Sequence, residues 1–155
     1  MHFGPTVQVS IGVHDYLQRH LQSQGTPVPA PIVGDAIIDT GATTTTIDTC
    51  VAKSLNLTQS GTVQSVGIGG ASTGFRAACS VNIKGLKVSI PRAHCHELPP
   101  SANVVALIGR DVLRYMLLKY DGIEGVVTLT IPDPRPVSKP RTRAGLRRKR
   151  HRRRR

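Results

Sequence analysis

Tryptophan is absent from these 155 residues, and the other aromatics amount to three Tyr and two Phe. A core built from this chain must therefore be aliphatic, and stacking on nucleic-acid bases has almost no side chains to use. Cysteine is scarce too. Cys50, Cys79 and Cys95 are an odd number with no Cys-x-x-Cys pair, which argues against a disulfide framework and for a reducing compartment. No apolar run approaches the ~20 residues of a membrane-spanning helix. The N-terminus lacks a basic stretch followed by an apolar one, so no secretory signal is visible and a cytoplasmic location is expected.

Acidic residues are missing from one region. All nine Asp and Glu lie before Pro134, together with nine of the 21 Lys and Arg. The other twelve basic residues run from Arg135 to Arg155, so the formal charge of +12 belongs to a tail and the region before it is neutral. The pI therefore describes an appendage. The organisation expected is a domain over 1–134 and a basic tail over 135–155. Pro132, Pro134, Pro136 and Pro140 separate the two. A segment so dense in like charge and so poor in apolar residues is expected to be disordered in isolation. Such a tail either binds polyanions, nucleic acid among them, by charge alone, or is an idle solvated extension.

What is present reads mainly as β structure. Hydrophobic residues make up 39%, enough for one domain with a modest core. Thr6 to Val13 alternates strictly, with Val7, Val9, Ile11 and Val13 on one face, which is a half-buried strand. His14 to Gln24 is polar and reads as a short helix or a long loop. Pro27, Pro29 and Pro31 then impose an extended connection. Ile32 to Ile38 reads as a strand, and Thr43 to Ile47 as a second β-branched stretch. Asp48 suits the N-cap of a helix over Thr49 to Leu55. Gly61 to Ile90 has the pattern of hairpins, with turns at Gly67 to Gly70 and at Gly85. Val104 to Ile108 is an apolar strand, and Arg110 to Met116 has helical spacing. Leu117 to Tyr120 and Gly125 to Ile131 are strands joined around Asp121-Gly122, a hairpin signal.

The segment that points to chemistry is Ala36-Ile37-Ile38-Asp39-Thr40-Gly41-Ala42. Three apolar residues deliver a carboxylate to the end of a buried strand. Gly41 permits a tight turn and close approach of another backbone. The Thr40 hydroxyl is suited to bracing that turn. A carboxylate here would be costly to bury alone, and sharing a proton with a partner would explain it.

Asp39-Thr40-Gly41-Ala42 after an apolar strand resembles the active-site motif of retropepsin-like aspartic proteases. Ala106-Leu107-Ile108-Gly109-Arg110-Asp111 is similar to the family's two-apolar-plus-Gly element beside the catalytic loop. Gly67-Ile68-Gly69-Gly70-Ala71 looks like the glycine-rich tip of its flap hairpin. The three occur in the family's order, and the resemblance covers about Pro5 to Ile131. It implies a mostly β, closed, barrel-like fold with a flap hairpin and one or two short helices. It implies an aspartic endopeptidase with Asp39, Thr40 and Gly41 as catalytic residues. Ala42, Gly67, Ile68, Gly69, Gly70 and Ile108 would contact a polypeptide substrate, with no metal and no cofactor. One motif in so short a domain implies a homodimer with an Asp39 from each copy. The terminal strands would tie it together: Gly125 to Ile131 first, Thr6 to Val13 second. The alternative is a catalytically retired fold serving as a dimerisation or peptide-binding module, its tail binding nucleic acid.

One departure is visible. Many viral members carry acidic residues just after the active-site Ala, where this chain has Thr43 to Thr46. An ion pair from Arg110 to such an acid cannot form, and Asp111 and Asp48 are the candidates to replace it. Other residues carry bland readings. An isolated Asp-Thr-Gly is compatible with a structural turn, and Gly67 to Gly70 with an ordinary glycine turn. His94-Cys95-His96 suggests a metal site, but with no second ligand cluster it reads better as a solvated loop or strand edge. Cys50 and Cys79 read as small core residues.

Overall fold

The computed structural model describes residues 4–67 and 70–132. The tail 135–155 and the hairpin-tip residues Ile68 and Gly69 lie outside the described residues. Alternation makes Thr6–Val13 the strand β1 and buries Val9, Ile11 and Val13. β1 runs antiparallel to β2 (Ile32–Ile38), from Thr6 opposite Ile37 to Ile11 opposite Ile32. The next strands are β3 (Thr46–Asp48), β4 (Gln59–Gly67), β5 (Gly70–Ile83), β6 (Leu86–His96) and β7 (Ala106–Ile108). Neighbours follow the order β1-β2-β7-β3-β6-β5, and β5 returns to β1 through Ser10 to Val13. Six strands thus close a barrel, with β4 paired outside β5. Closure removes the free edges an open sheet would leave. The interior is aliphatic, with Ile11, Ile47, Leu55, Ile83 and Ile108 almost fully buried.

His14 to Gln24 resolves as a helix, α1 (Asp15–Ser23), whose first turn is capped by the His14 side chain accepting from the Tyr16 amide. Asp15 ties it to β6 by an ion pair with Lys87 and a hydrogen bond from Ser89. Those bonds hold the Asp15 carboxyl below its ordinary pKa, mainly through Lys87 and Ser89. The proline segment leads back over the barrel, with Val28 packed against the core.

Asp48 caps α2 (Thr49–Ser54) as expected, accepting from the Cys50 amide at 2.7 Å. Its other oxygen accepts from the Leu98 amide and pins the loop that follows β6. The helix expected over Arg110 to Met116 is shorter: α3 spans Arg110–Leu113. The reason lies in its last bonds. Tyr115 and Met116 donate to Val112 and Leu113, three residues back, so the backbone tightens before entering the next strand. β8 (Leu117–Asp121) and β9 (Val126–Thr130) form a separate hairpin. Its turn is built by Asp121 Oδ1, which accepts from the Ile123 and Glu124 amides.

Cys79 and Cys95 are buried core residues, whereas Cys50 is exposed, which corrects its expected place in the core. Cys50 follows the N-cap, so its side chain projects from the first helical turn instead of joining Val51 and Ala52 inside. Burial pushes the Cys95 thiol up to about 11, and Cys79 higher still. Thiolate is the reactive form. An alkylating reagent should therefore modify one thiol per native chain, Cys50, and all three in denaturant. Rapid native labelling of Cys79 or Cys95, read by peptide mass mapping, would contradict the core placement.

Candidate active site

β2 and β7 run parallel and adjacent, with Ile38 opposite Ile108. Asp39 follows directly, its amide donating to the Ile108 carbonyl at 2.9 Å. The sequence segment and the two-apolar-plus-Gly element, 70 residues apart in the chain for Asp39 and Gly109, thus meet at one end of the barrel. The chain turns at once. Asp39 Oδ1 accepts from the Gly41 amide at 2.9 Å and from the Ala42 amide at 3.1 Å. That pattern occurs in many structural turns, so the carboxylate bonds alone do not single out a chemical role. A Cβ at Gly41 would come within 3.1 Å of Asp39 Oδ1, a tight contact that would press on the carboxylate. Both amide bonds fall on Oδ1, which leaves Oδ2 uncommitted among the described residues.

What distinguishes this turn is the support beneath it. Arg110 Nη1 donates to the carbonyls of Thr40 and Gly41 at 2.8 and 3.2 Å, and Nη2 to Thr43 Oγ1 at 2.9 Å. Neither Asp111 nor Asp48 takes the role of the missing acid. The guanidinium satisfies the loop's own carbonyls, and Thr43 accepts where a carboxylate is absent. Thr40 contributes its carbonyl here; the bracing expected of its hydroxyl comes from other groups.

The principal brace is Thr45, a fully buried residue that the sequence did not single out. Its hydroxyl donates to Asp111 Oδ1 at 2.7 Å and accepts from the Gly109 amide at 3.0 Å. Asp111 also accepts from the Thr45 amide. A Cβ on Gly109 would lie 2.7–2.9 Å from the Thr44 and Thr45 backbone. Gly109 therefore lets the segment after β7 lie flush against the loop that Asp39 begins. Satisfied polar groups in a buried place make a rigid seat.

β4 and β5 pair from Thr62 opposite Phe75 up to Gly67 opposite Gly70. Pairing of β5 with β6 stops at Phe75 opposite Cys95, so the hairpin extends past its last sheet neighbour. Gly70 adopts φ +102°, which an L side chain rarely tolerates. Gly67 and Gly70 are thus at the hairpin end, as expected, while the other two tip residues lie outside the described region.

His94, Cys95 and His96 are not in a solvated loop or at an edge. They lie on β6 between β3 and β5, with Cys95 and His96 buried. The reading missed that β6 runs eleven residues, so that its end pairs with β3 on one side and β5 on the other. The rings of His94 and His96 meet edge-on, 6.2 Å apart. Among the described residues no group of His, Cys, Asp and Glu could hold a metal. Burial, then His96 and Arg76, push the His94 pKa below its ordinary 6.5, with Asp111 opposing weakly. The unfolded chain then binds a proton that the folded one resists. Stability is complete above about pH 6.5 and is lost as pH falls from there through the folded pKa. His94→Gln should flatten that loss in chemical denaturation between pH 7 and 5; an unchanged slope would assign the loss to other groups.

Comparison with known proteins gives the family of the chain. The aspartyl protease family matches residues 24–112, a span that runs from the end of α1 through Asp39 to α3. The chain belongs to the aspartyl protease family. Its single Asp-Thr-Gly loop lies at one end of a closed barrel. No curated protein matches significantly. Among solved structures it is similar to EIAV protease complexed with an inhibitor, at 23% identity over 72% of this chain and 86% of that one, TM-score 0.48. It is also similar to the retroviral protease-like domain of Ddi1 from Leishmania major, at 14% identity over 81% and 88% of the two chains, TM-score 0.43. Among the described residues no helix is long and apolar enough to cross a membrane.

Proposed function

We propose that the chain is one half of an aspartic endopeptidase, in which the Asp39 carboxylates of two copies face each other across a two-fold axis. The observation that carries this reading is the seat of Asp39. It is a carboxylate fixed by two amides on one oxygen, on a loop locked by Arg110, Thr45 and Gly109, with its second oxygen uncommitted among the described residues. One rigid carboxylate per short chain is half of what the chemistry needs. Two brought ~3 Å apart share one proton, as aspartic proteases generally do. The ionised member takes a proton from a water held between them. The protonated member donates to the scissile carbonyl and stabilises the developing oxyanion. Return of a proton to the leaving nitrogen completes amide hydrolysis.

Thr40 and Gly41 shape the catalytic turn. Ala42, Ile108 and the Gly67-Ile68-Gly69-Gly70 tip, acting as a flap, would hold an extended peptide through its backbone. The second copy is proposed to join at the β8–β9 hairpin, where exposed apolar side chains collect. The test is cleavage of a mixed peptide library by the wild type and by Asp39→Asn, with and without a transition-state-mimicking inhibitor.

A further inference from the structure

Beyond Phe75 the β4–β5 hairpin has left the sheet, and one side chain of the barrel reaches it. His96, the last residue of β6, is 6% exposed. Its Nε2 lies 2.9 Å from Ser65 Oγ on β4, and its Nδ1 lies 3.3 Å from Ser72 Oγ on β5. Ser65 and Ser72 are direct cross-strand partners, and only the pairs Val66–Ala71 and Gly67–Gly70 separate them from the tip. Their hydroxyls therefore project from one face of the hairpin, and the imidazole spans both strands from below. Serine donates and accepts, so either ring tautomer finds two partners.

A second observation shows that the hairpin leaves room for the ring. A Cβ on Gly74 would come within 2.7 Å of His96 Cε1 and Nδ1, and within 2.1 Å of the Cys95 carbonyl oxygen. Any side chain at residue 74 would displace the imidazole from its place. β4, the outer strand, has β5 as its sheet neighbour and, at this level, Ser65 as its link to the barrel.

We propose that His96 is a positioning residue that clasps both strands of the flap to the barrel and sets where the flap rests. This rests on reading the hairpin as the flap of a protease. A hairpin placed in advance spends less of the peptide's binding energy on its own ordering. The clasp acts on capture of the substrate and leaves the bond-breaking groups alone.

The test uses the full-length protein with His96→Ala, His96→Gln and the double variant Ser65→Ala/Ser72→Ala, each checked for folding. Hydrogen–deuterium exchange should speed up about tenfold at hairpin amides of Gln64 to Val66 and Ala71 to Thr73 in His96→Ala, the scale of one net hydrogen bond. Exchange in β1 and β2 should stay as in the wild type. With oxidised insulin B chain as substrate, KM should rise by a similar factor and kcat much less. His96→Gln, which keeps a donor and an acceptor, should recover most of both. Hairpin exchange unchanged in both His96→Ala and the serine double variant would overturn the proposal. So would acceleration spread equally over hairpin and barrel, since His96 would then be an ordinary core residue. The exchange arm decides the clasp by itself, and absence of turnover in the wild type would count against the protease reading alone.

Discussion

Asp39→Asn should lower peptide hydrolysis by about 10²- to 10⁴-fold, the scale of removing a general acid–base group, while leaving fold and association intact. The substitution is nearly isosteric. Asn retains a carbonyl oxygen that can accept from the Gly41 and Ala42 amides as Oδ1 does. The bonds from Arg110 to the Thr40 and Gly41 carbonyls involve no atom that changes. Loop geometry is therefore preserved, and the loss falls on chemistry. An amide takes no proton from water near neutrality, and a pair with two amides has neither base nor acid. Circular dichroism and sedimentation should match the wild type while turnover of the peptide library disappears. Wild-type turnover by pure variant would sink the catalytic assignment and leave Asp39 as a turn-forming residue.

Much of this site was legible in the sequence because its parts are local. Asp39 follows an apolar strand, glycine flanks it, and Asp48 sits one residue before α2; each is a statement about neighbours in the chain. β1 was legible from its period of two, and the β8–β9 turn from Asp121-Gly122. What was not legible depends on distant strands. Thr43 to Thr46 reads as four equivalent β-branched residues. Which of them turns inward is decided by β3 lying between β6 and β7, and that selects Thr45 as the buried partner of Asp111 and Gly109. The partner of Arg110 was missed for a related reason. Charge complementarity suggests an acid, but the open acceptors at the end of β2 are backbone carbonyls, visible only once the turn is built. His96 carried no signal of its role, since its two serine partners come from strands that meet it only in three dimensions. α1 was ambiguous because its sequence is polar, and the contacts of Asp15 and Gln18 with Lys87 and Ser89 of β6 exist only in the folded chain.

Leu117→Lys should weaken self-association on the order of a hundredfold and make activity fall away at low protein concentration. Eight large hydrophobics are exposed among the described residues, and five of them, Leu117, Tyr120, Ile123, Val126 and Ile131, lie on or beside the β8–β9 hairpin. The hairpin is anchored from within by Leu118, Val127 and Leu129 against the core. Its two outer edges carry no sheet partner among the described residues. A lone two-stranded hairpin is marginal in water, and one that bears apolar side chains and open edges is suited to pairing with its own copy. β1, the second candidate, is less free: Ser10 to Val13 is paired with β5 inside the barrel while Thr6 to Ile11 pairs with β2. A two-fold axis places each substitution in the interface twice. Burying a leucine side chain contributes about 1.5–3 kcal/mol, so two losses amount to two decades or more in Kd. Leu117 is 59% exposed in the single chain, so a lysine there disturbs no packing that the monomer needs. Sedimentation velocity over a concentration series should show the shift, and specific activity should fall more steeply than first order as the dimer dissociates. A monomer that retains full activity would refute the two-chain site itself. A variant that dimerises as tightly as the wild type would move the interface away from this hairpin and leave the pairing of the two Asp39 carboxylates to another face of the barrel.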